Sequence, residues 1–122
     1  MAQLPEIASK SWDLRQGPVV LTTIDADGMP NAIYATCVKK FSEDKLVVAD
    51  NYFNKTRANI LDGSKGSILY ITKENKAFQA KGSISYVKDG EIYDFIKADF
   101  QKAVAATVLN VEEVYSGAER LA

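Results

Sequence analysis

The organisation of the chain is decided by one stretch, KLVVADNYFNKTRANILDG, which runs from Lys45 to Gly63. Its first part is an apolar, β-branched run that predicts a strand, and Asp50-Asn51 end this strand because such side chains bond the local backbone in turns. Asn54 is placed to cap a short helix through its side-chain oxygen, and Gly63 stands where a left-handed residue ends one. The stretch therefore predicts a strand, a loop and a helix in succession.

The start of this helix has the features of an anion site. A helix N-terminus presents unpaired N–H groups and the positive end of the macrodipole, and here Lys55 and the Thr56 hydroxyl lie in the first turn. Arg57 occupies the third position in place of a capping Glu or Gln, so the turn is cationic and favours a nearby anion. The alternative is an ordinary helix start with Lys55 solvated.

Composition indicates a single globular domain over residues 1–122. Hydrophobic residues make up 47% and charged residues 25%, and the net charge is -1. Without a basic run, the chain has no electrostatic footprint for nucleic acid or an anionic membrane. The N-terminus lacks the pattern of a signal peptide and no stretch has the length of a membrane span, so we expect a cytoplasmic protein.

The residues that most often carry catalysis and metal binding are scarce. The chain has one cysteine, Cys37, and no histidine. This excludes an internal disulfide, thiolate or imidazole metal sites and histidine-based catalysis, and we expect Cys37 to be a small buried hydrophobe. No residue is assigned as a catalytic acid or base. Any redox chemistry must therefore come from a bound organic cofactor.

Hydrophobic periodicity predicts a mainly β domain of the α+β class. The spacing of Leu4, Ile7, Ala8 and Trp12 predicts an opening helix before Gly17-Pro18, and a second amphipathic pattern predicts a helix over Glu91 to Ala106. Between and after them lie six predicted strands: Val19–Ile24, Asn31–Phe41, Lys45–Ala49, Ser67–Thr72, Phe78–Tyr86 and Thr107–Val114. Both faces of the long second strand look mostly buried, and Tyr115 to Ala122 reads as a polar tail. We expect six antiparallel strands curled into a barrel with peripheral helices.

Two segments together resemble a known family. The hairpin GMPNAIYATCVKKF and the following KLVVADNYFNKTRANI combine Gly-x-Pro-Asn at Gly28 to Asn31 with Asn-Lys-Thr-x-x-Asn at Asn54 to Asn59. In this combination the chain resembles the pyridoxamine 5'-phosphate oxidase-like FMN-binding split-barrel family, and the order of elements agrees over nearly the whole chain. The resemblance implies a split barrel that binds FMN at a homodimer interface.

The resemblance also implies roles for individual residues. It places the FMN phosphate on Lys55 and Thr56 at the helix start after Asn54. It places the isoalloxazine edge on the backbone of Val48, Ala49 and Asp50, and the ribityl phosphate chain beside Thr36, with Tyr34 and Ala35 nearby. Asn59 shares a helix face with Thr56 and is either a further contact or a polar solvent position. Tyr52 and Phe53 either wall the flavin or serve as core or dimer contacts.

The resemblance leads us to expect that true pyridoxamine phosphate oxidases are longer and carry a second set of Arg and His residues for the substrate phosphate, and the absence of histidine separates the chain from them. Within the family, the chain looks more like small FMN-binding proteins that transfer electrons or reduce flavin, with a redox partner protein or a nicotinamide nucleotide as partner. The alternatives are a non-catalytic binding or interaction module on the same barrel, or an oxidase-like enzyme. A homodimer is expected, with Phe53 and Tyr115 as exposed apolar positions at its interface.

Overall fold

The computed structural model describes residues 2–122, which form a curled antiparallel sheet with three short helices. The elements in chain order are α1 (Glu6–Asp13), β1 (Val19–Ile24), β2 (Pro30–Ala35), β3 (Val38–Ser42), β4 (Lys45–Asp50), α2 (Lys55–Leu61), β5 (Gly66–Ile71), β6 (Ala77–Val87), α3 (Glu91–Lys97), β7 (Ala105–Ser116) and β8 (Glu119–Arg120).

The sheet confirms the α+β split-barrel class predicted from the sequence. Its strands follow the order β2-β1-β5-β6-β7-β4-β3, and β8 pairs with β7 beside this path. Every pair of named strands is antiparallel. The described residues contain eight strands where the sequence predicted six.

One additional strand arises because the predicted strand Asn31–Phe41 is two strands. β2 pairs with β1 and β3 pairs with β4, so the two lie at opposite ends of the strand order. The chain changes partner at Thr36-Cys37, where Val38 N–H donates to the Thr36 carbonyl at 3.1 Å and Ala49 N–H donates to the Cys37 carbonyl at 2.9 Å. The expectation that both faces are buried is also wrong, since Tyr34 is 79% exposed. This break is the split in the barrel.

The third helix is shorter than predicted. α3 ends at Lys97 and β7 has begun at Ala105, so the predicted helix to Ala106 is wrong over its second half. The chain folds back at Ala103, whose carbonyl accepts hydrogen bonds from Tyr93 Oη and Lys97 Nζ, both at 3.0 Å. Ala103 itself is fully buried, whereas the neighbouring Val104 is 49% exposed.

The C-terminal segment is structured where a polar tail was expected. β7 continues to Ser116, and β8 pairs with it through Tyr115 opposite Arg120. Leu121 N–H then donates to the Val114 carbonyl at 2.7 Å.

Two apolar clusters lie on the two faces of the sheet. The barrel interior contains Trp12 from α1, which contacts Tyr70 edge to face at 5.1 Å between ring centroids and so anchors the opening helix to the sheet. The second cluster packs Ile96 of α3 against Val47 and Ala49 of β4. β4 is therefore covered on both faces, which fixes the position of the loop that follows it.

Candidate functional site

A cleft of about 330 Å3 opens at the split between β2 and β3 and is closed on its other side by the loop from β4 to α2. Its wall is formed by Ile33, Tyr34, Ala35, Thr36, Cys37, Ala49, Asn51, Tyr52, Phe53, Asn54, Lys55 and Thr56. Two separate segments, within residues 33–37 and 49–56, thus form one concave surface.

Seven residues that the resemblance named for FMN meet in this cleft: Tyr34, Ala35, Thr36, Ala49, Asn54, Lys55 and Thr56. The other three lie outside its wall. Val48 is a fully buried member of the barrel interior, Asp50 faces away toward α2 and β6, and Asn59 donates a hydrogen bond to Thr23 Oγ1 at 3.0 Å. Asn59 is buried and ties α2 to β1, so its alternative interpretation as a solvent position is wrong. Contact of these three residues with a cofactor stays a prediction.

Lys55 and Thr56 both line the cleft, but their surroundings differ. Lys55 is exposed, and within residues 2–122 its ammonium group forms no salt bridge. Thr56 is buried, and its Oγ1 accepts a hydrogen bond from Asn31 Nδ2 at 3.0 Å. A hydroxyl can donate while it accepts, so the Thr56 proton remains available to a ligand.

Asn54 holds the position predicted for it but not the predicted contact. It is the residue before α2, yet its side chain makes no capping hydrogen bond in the described part of the chain. Phe53 N–H, one residue earlier, instead donates to Asp50 Oδ1 at 2.8 Å. The loop that leads into α2 is therefore anchored to the side chain of Asp50, the last residue of β4. Gly63 has the predicted positive φ of 91° after the helix.

The charge of the first helical turn also differs from the sequence prediction. Arg57 donates to the fully buried Asp50 carboxylate twice, from Nε at 2.7 Å and from Nη2 at 2.9 Å. The anion that offsets Arg57 is thus a residue of the protein, and Arg57 gives no support to a ligand anion site. In the first turn, Lys55 is left as the charge that faces the cleft.

Burial of Asp50 by itself would raise the pKa of its carboxyl group. The hydrogen bonds from Arg57, Tyr86 and Phe53 N–H outweigh this effect, so the pKa lies below its ordinary value. The same contact raises the pKa of Arg57, and burial together with Asp50 raises the pKa of the Tyr86 hydroxyl. Asp50 and Arg57 therefore stay ionised as a pair near neutral pH.

Sequence reasoning missed Asn51 as a site residue. Its Nδ2 lies 3.4 Å from Cys37 Sγ, and its Oδ1 is buried without a hydrogen-bond partner among residues 2–122. A buried oxygen without a donor is uncommon and is a candidate for contact with a bound molecule. Cys37, expected as a buried hydrophobe, is half-buried and lines the same wall. The only signal for Asn51 was its position directly after the strand end.

The cleft combines groups that suit a molecule with an anionic part and an apolar part. Lys55 and Thr56 offer a charge and a hydroxyl, while Ile33, Tyr34 and Phe53 supply apolar and aromatic surface. Its wall contains neither a carboxylate nor an imidazole group. The wall therefore has none of the groups that most often act as general acid or base.

Residues 8–121 match the family described as pyridoxamine 5'-phosphate oxidase. The chain belongs to this family. It is 31% identical over 107 residues to an uncharacterized protein of Methanocaldococcus jannaschii, covering 80% of this chain and 71% of that protein. It is also 31% identical over 85 residues to a pyridoxine/pyridoxamine 5'-phosphate oxidase of Brucella canis, covering 69% of this chain and 41% of that enzyme. The chain thus spans about two fifths of the length of the Brucella oxidase.

Solved structures share the fold of this pyridoxamine 5'-phosphate oxidase family member. A protein of Lactobacillus delbrueckii that carries the name of pyridoxamine 5'-phosphate oxidase superposes with a TM-score of 0.79 at 23% identity, covering 93% of each chain. An FMN-binding protein of Syntrophomonas wolfei superposes with a TM-score of 0.72 at 18% identity, covering 85% of this chain and 79% of that one. Among the described residues, no helix is both long and apolar enough to cross a membrane.

Proposed function

We propose that the protein is an FMN-binding flavoprotein that acts in electron transfer or as a flavin-dependent oxidoreductase. The observation that carries the proposal is the cleft at the barrel split, where Lys55 and Thr56 meet Thr36 and Tyr34 in a chain of this family. A cytoplasmic location, and the lack of nucleic-acid and membrane partners, stay predictions from the sequence.

The chemistry of the wall fits FMN group by group. Lys55 and the Thr56 hydroxyl would bind the phosphate, and the exposed Thr36 hydroxyl would bind the ribityl chain. Asn51 Oδ1, which has no donor in the part of the chain that the structure describes, would accept from the N3–H group of the isoalloxazine ring. Tyr34, Ala35 and Ala49 would contact the ring or chain, whereas Val48, Asp50 and Asn59 would act through the backbone or through the elements they hold.

The protein's own part is to bind and orient the cofactor. Bound FMN supplies the redox chemistry by accepting and passing on electrons. The residues of the cleft offer no carboxylate or imidazole, so their part would be to bind and orient the cofactor. A redox protein or a nicotinamide nucleotide would be the partner in electron transfer.

Titration of the flavin-free protein with FMN tests the proposal. Quenching of FMN fluorescence and a shift of the FMN visible absorption spectrum, both reversed when the protein is denatured, are expected. A protein that is colourless after gel filtration has removed unbound FMN would contradict the proposal and leave a module for another phosphate-bearing ligand. Steady-state oxidation of NADH or NADPH with an acceptor separates a reductase from an electron carrier, and an assay with pyridoxamine phosphate tests the oxidase alternative.

We also propose a homodimer in which the cleft adjoins the interface. Val20 pairs with both Tyr34 and Leu69, so the three side chains share the outer face of the sheet. Leu69 is 40% exposed, and Ile24 and Ile71 extend the same face. The sequence had pointed instead to Phe53 and Tyr115 as exposed apolar positions. Both residues are half-buried in the structure. Tyr34 belongs to both this outer apolar face and the cleft, so a second copy seated on the face would help to cover the ligand.

A further inference from the structure

The Asp50 carboxylate joins three separate parts of the structure behind the cleft. It accepts hydrogen bonds from Phe53 N–H in the loop, from Arg57 in α2 and from Tyr86 Oη in β6. The side chain of Asp50 has no exposed surface, while that of Arg57 is 35% exposed. All the donors come from the protein, so the carboxylate is saturated without a ligand.

The backbone of Asp50 is fixed as firmly as its side chain. Asp50 is the last residue of β4 and lies opposite Ala105 of β7, and its carbonyl accepts a hydrogen bond from Val104 N–H at 2.8 Å. β4 itself is covered on both faces by the two apolar clusters. The carboxylate is thus a rigid point from which the loop and α2 are held.

Two further side-chain hydrogen bonds, Asn31 to Thr56 and Asn59 to Thr23, join α2 to the hairpin of β1 and β2, but neither reaches the loop before the helix. α2 has seven residues, and among residues 2–122 no side-chain cap is made by Asn54. Short helices without caps are marginal by themselves. The loop and the first helical turn include Phe53, Asn54, Lys55 and Thr56, which form one wall of the cleft.

We propose that Asp50 is a positioning residue that holds residues 51–57 in their ligand-binding arrangement before any ligand arrives. Arg57 is its counterpart, and Tyr86 braces the pair from β6. The bidentate geometry fixes the direction of the guanidinium group and hence the start of α2. This rests on the proposed function only in naming FMN as the ligand. The ordering itself is a property of the ligand-free protein.

Amide hydrogen exchange of the ligand-free protein tests the proposal without FMN. Asp50→Asn keeps the shape of the side chain but removes the charge and turns an amide N–H₂ toward one of its donors. We expect exchange in residues 51–61 to become faster by about tenfold or more, with exchange in residues 66–71 of β5 unchanged. Unchanged exchange in 51–61 would overturn the proposal, and so would a uniform increase throughout the sheet, which indicates a merely structural role.

Two milder variants keep the test decisive if Asp50→Asn does not fold. Arg57→Lys retains the charge but not the bidentate pair, and Tyr86→Phe removes a single hydrogen bond. Both should raise exchange in the same segment, and by less. If neither does, Asp50 does not order the segment.

Ligand affinity then separates positioning from direct contact. Loss of the ordered wall affects every part of the cleft, so Asp50→Asn should weaken FMN and riboflavin by similar factors. A loss confined to FMN would mean that Asp50 acts only on the phosphate and would overturn the proposal. If the unmodified protein binds neither compound, the proposed function fails while the exchange result still decides the role of Asp50.

Discussion

Asn31 Nδ2 donates a hydrogen bond to Thr56 Oγ1 at 3.0 Å, and this contact links the hairpin of β1 and β2 to the first turn of α2. The two residues belong to the two segments whose combination marks the family. Their contact gives that combination a physical reason, because Asn31 fixes the Thr56 hydroxyl beside the cleft and leaves its proton free for a ligand.

This contact leads to a prediction for the hydroxyl. Thr56→Val should weaken FMN by about twofold to tenfold, because it removes a neutral hydrogen bond and keeps most of the side-chain volume. Riboflavin, which lacks the phosphate, should bind as before. Thr56→Ser retains the hydroxyl and is the matched control in the same fluorescence titrations. An equal loss for both flavins in Thr56→Val would show that the residue supports the fold alone.

Acid stability should depend on Asp50. Its pKa is lower in the folded protein than in the unfolded chain, so the unfolded chain binds the proton first as the pH falls. The stabilising contribution is therefore complete above the ordinary carboxyl pKa of about 4 and is lost as the pH falls through the lower folded value. Urea unfolding from pH 7 to pH 3 should show a smaller acid loss in Asp50→Asn than in the unmodified protein. Parallel curves would contradict the assignment.

A charge at the centre of the outer apolar face should break the dimer. Leu69→Lys places an ammonium group beside Val20, where a second copy would have to desolvate it. Sedimentation of the holoprotein should give twice 13.4 kDa for the unmodified protein and 13.4 kDa for the variant. Leu61→Lys, a substitution of an exposed leucine on α2, is the control and should remain dimeric. An unmodified protein that is monomeric with flavin fully bound would rule out a shared site.

The unpaired oxygen of Asn51 predicts a preference between flavins. FMN should bind more tightly than its N3-methyl derivative, by about twofold to tenfold, because methylation removes the N3–H donor. Asn51→Leu has a similar shape without the acceptor and should bind the two compounds equally. If the preference survives in Asn51→Leu, the acceptor lies elsewhere.

Local pattern was enough to predict the strand, loop and helix from Lys45 to Gly63, and with the resemblance it named most of the residues that meet in the cleft. Alternation and capping preferences act over a few residues, so they can be read without knowing the rest of the chain. The strand break at Thr36-Cys37 was missed because the β-prone pattern continues while the pairing partner changes from β1 to β4. Such a change is a property of the whole sheet.

The partner of Arg57 was missed for a related reason. From the sequence alone, the charge of Arg57 had no visible partner, because only its unfavourable interaction with the helix dipole could be predicted. Asp50 is seven positions earlier and comes into contact only when the loop turns back. The end of α3 at Lys97 could not be predicted either. The helical spacing of apolar residues continues to Val104, and no glycine or proline interrupts it.

The most direct test of FMN binding at this cleft is the affinity of Lys55→Ala for FMN and riboflavin, with Lys73→Ala as a control at an exposed lysine outside the cleft. Lys55 supplies a charge-assisted contact of about 1.5 to 3 kcal/mol, so we predict a loss in FMN affinity of about tenfold to hundredfold. Riboflavin affinity should not change. Equal weakening of both flavins, or of neither, would show that the phosphate does not bind at the start of α2.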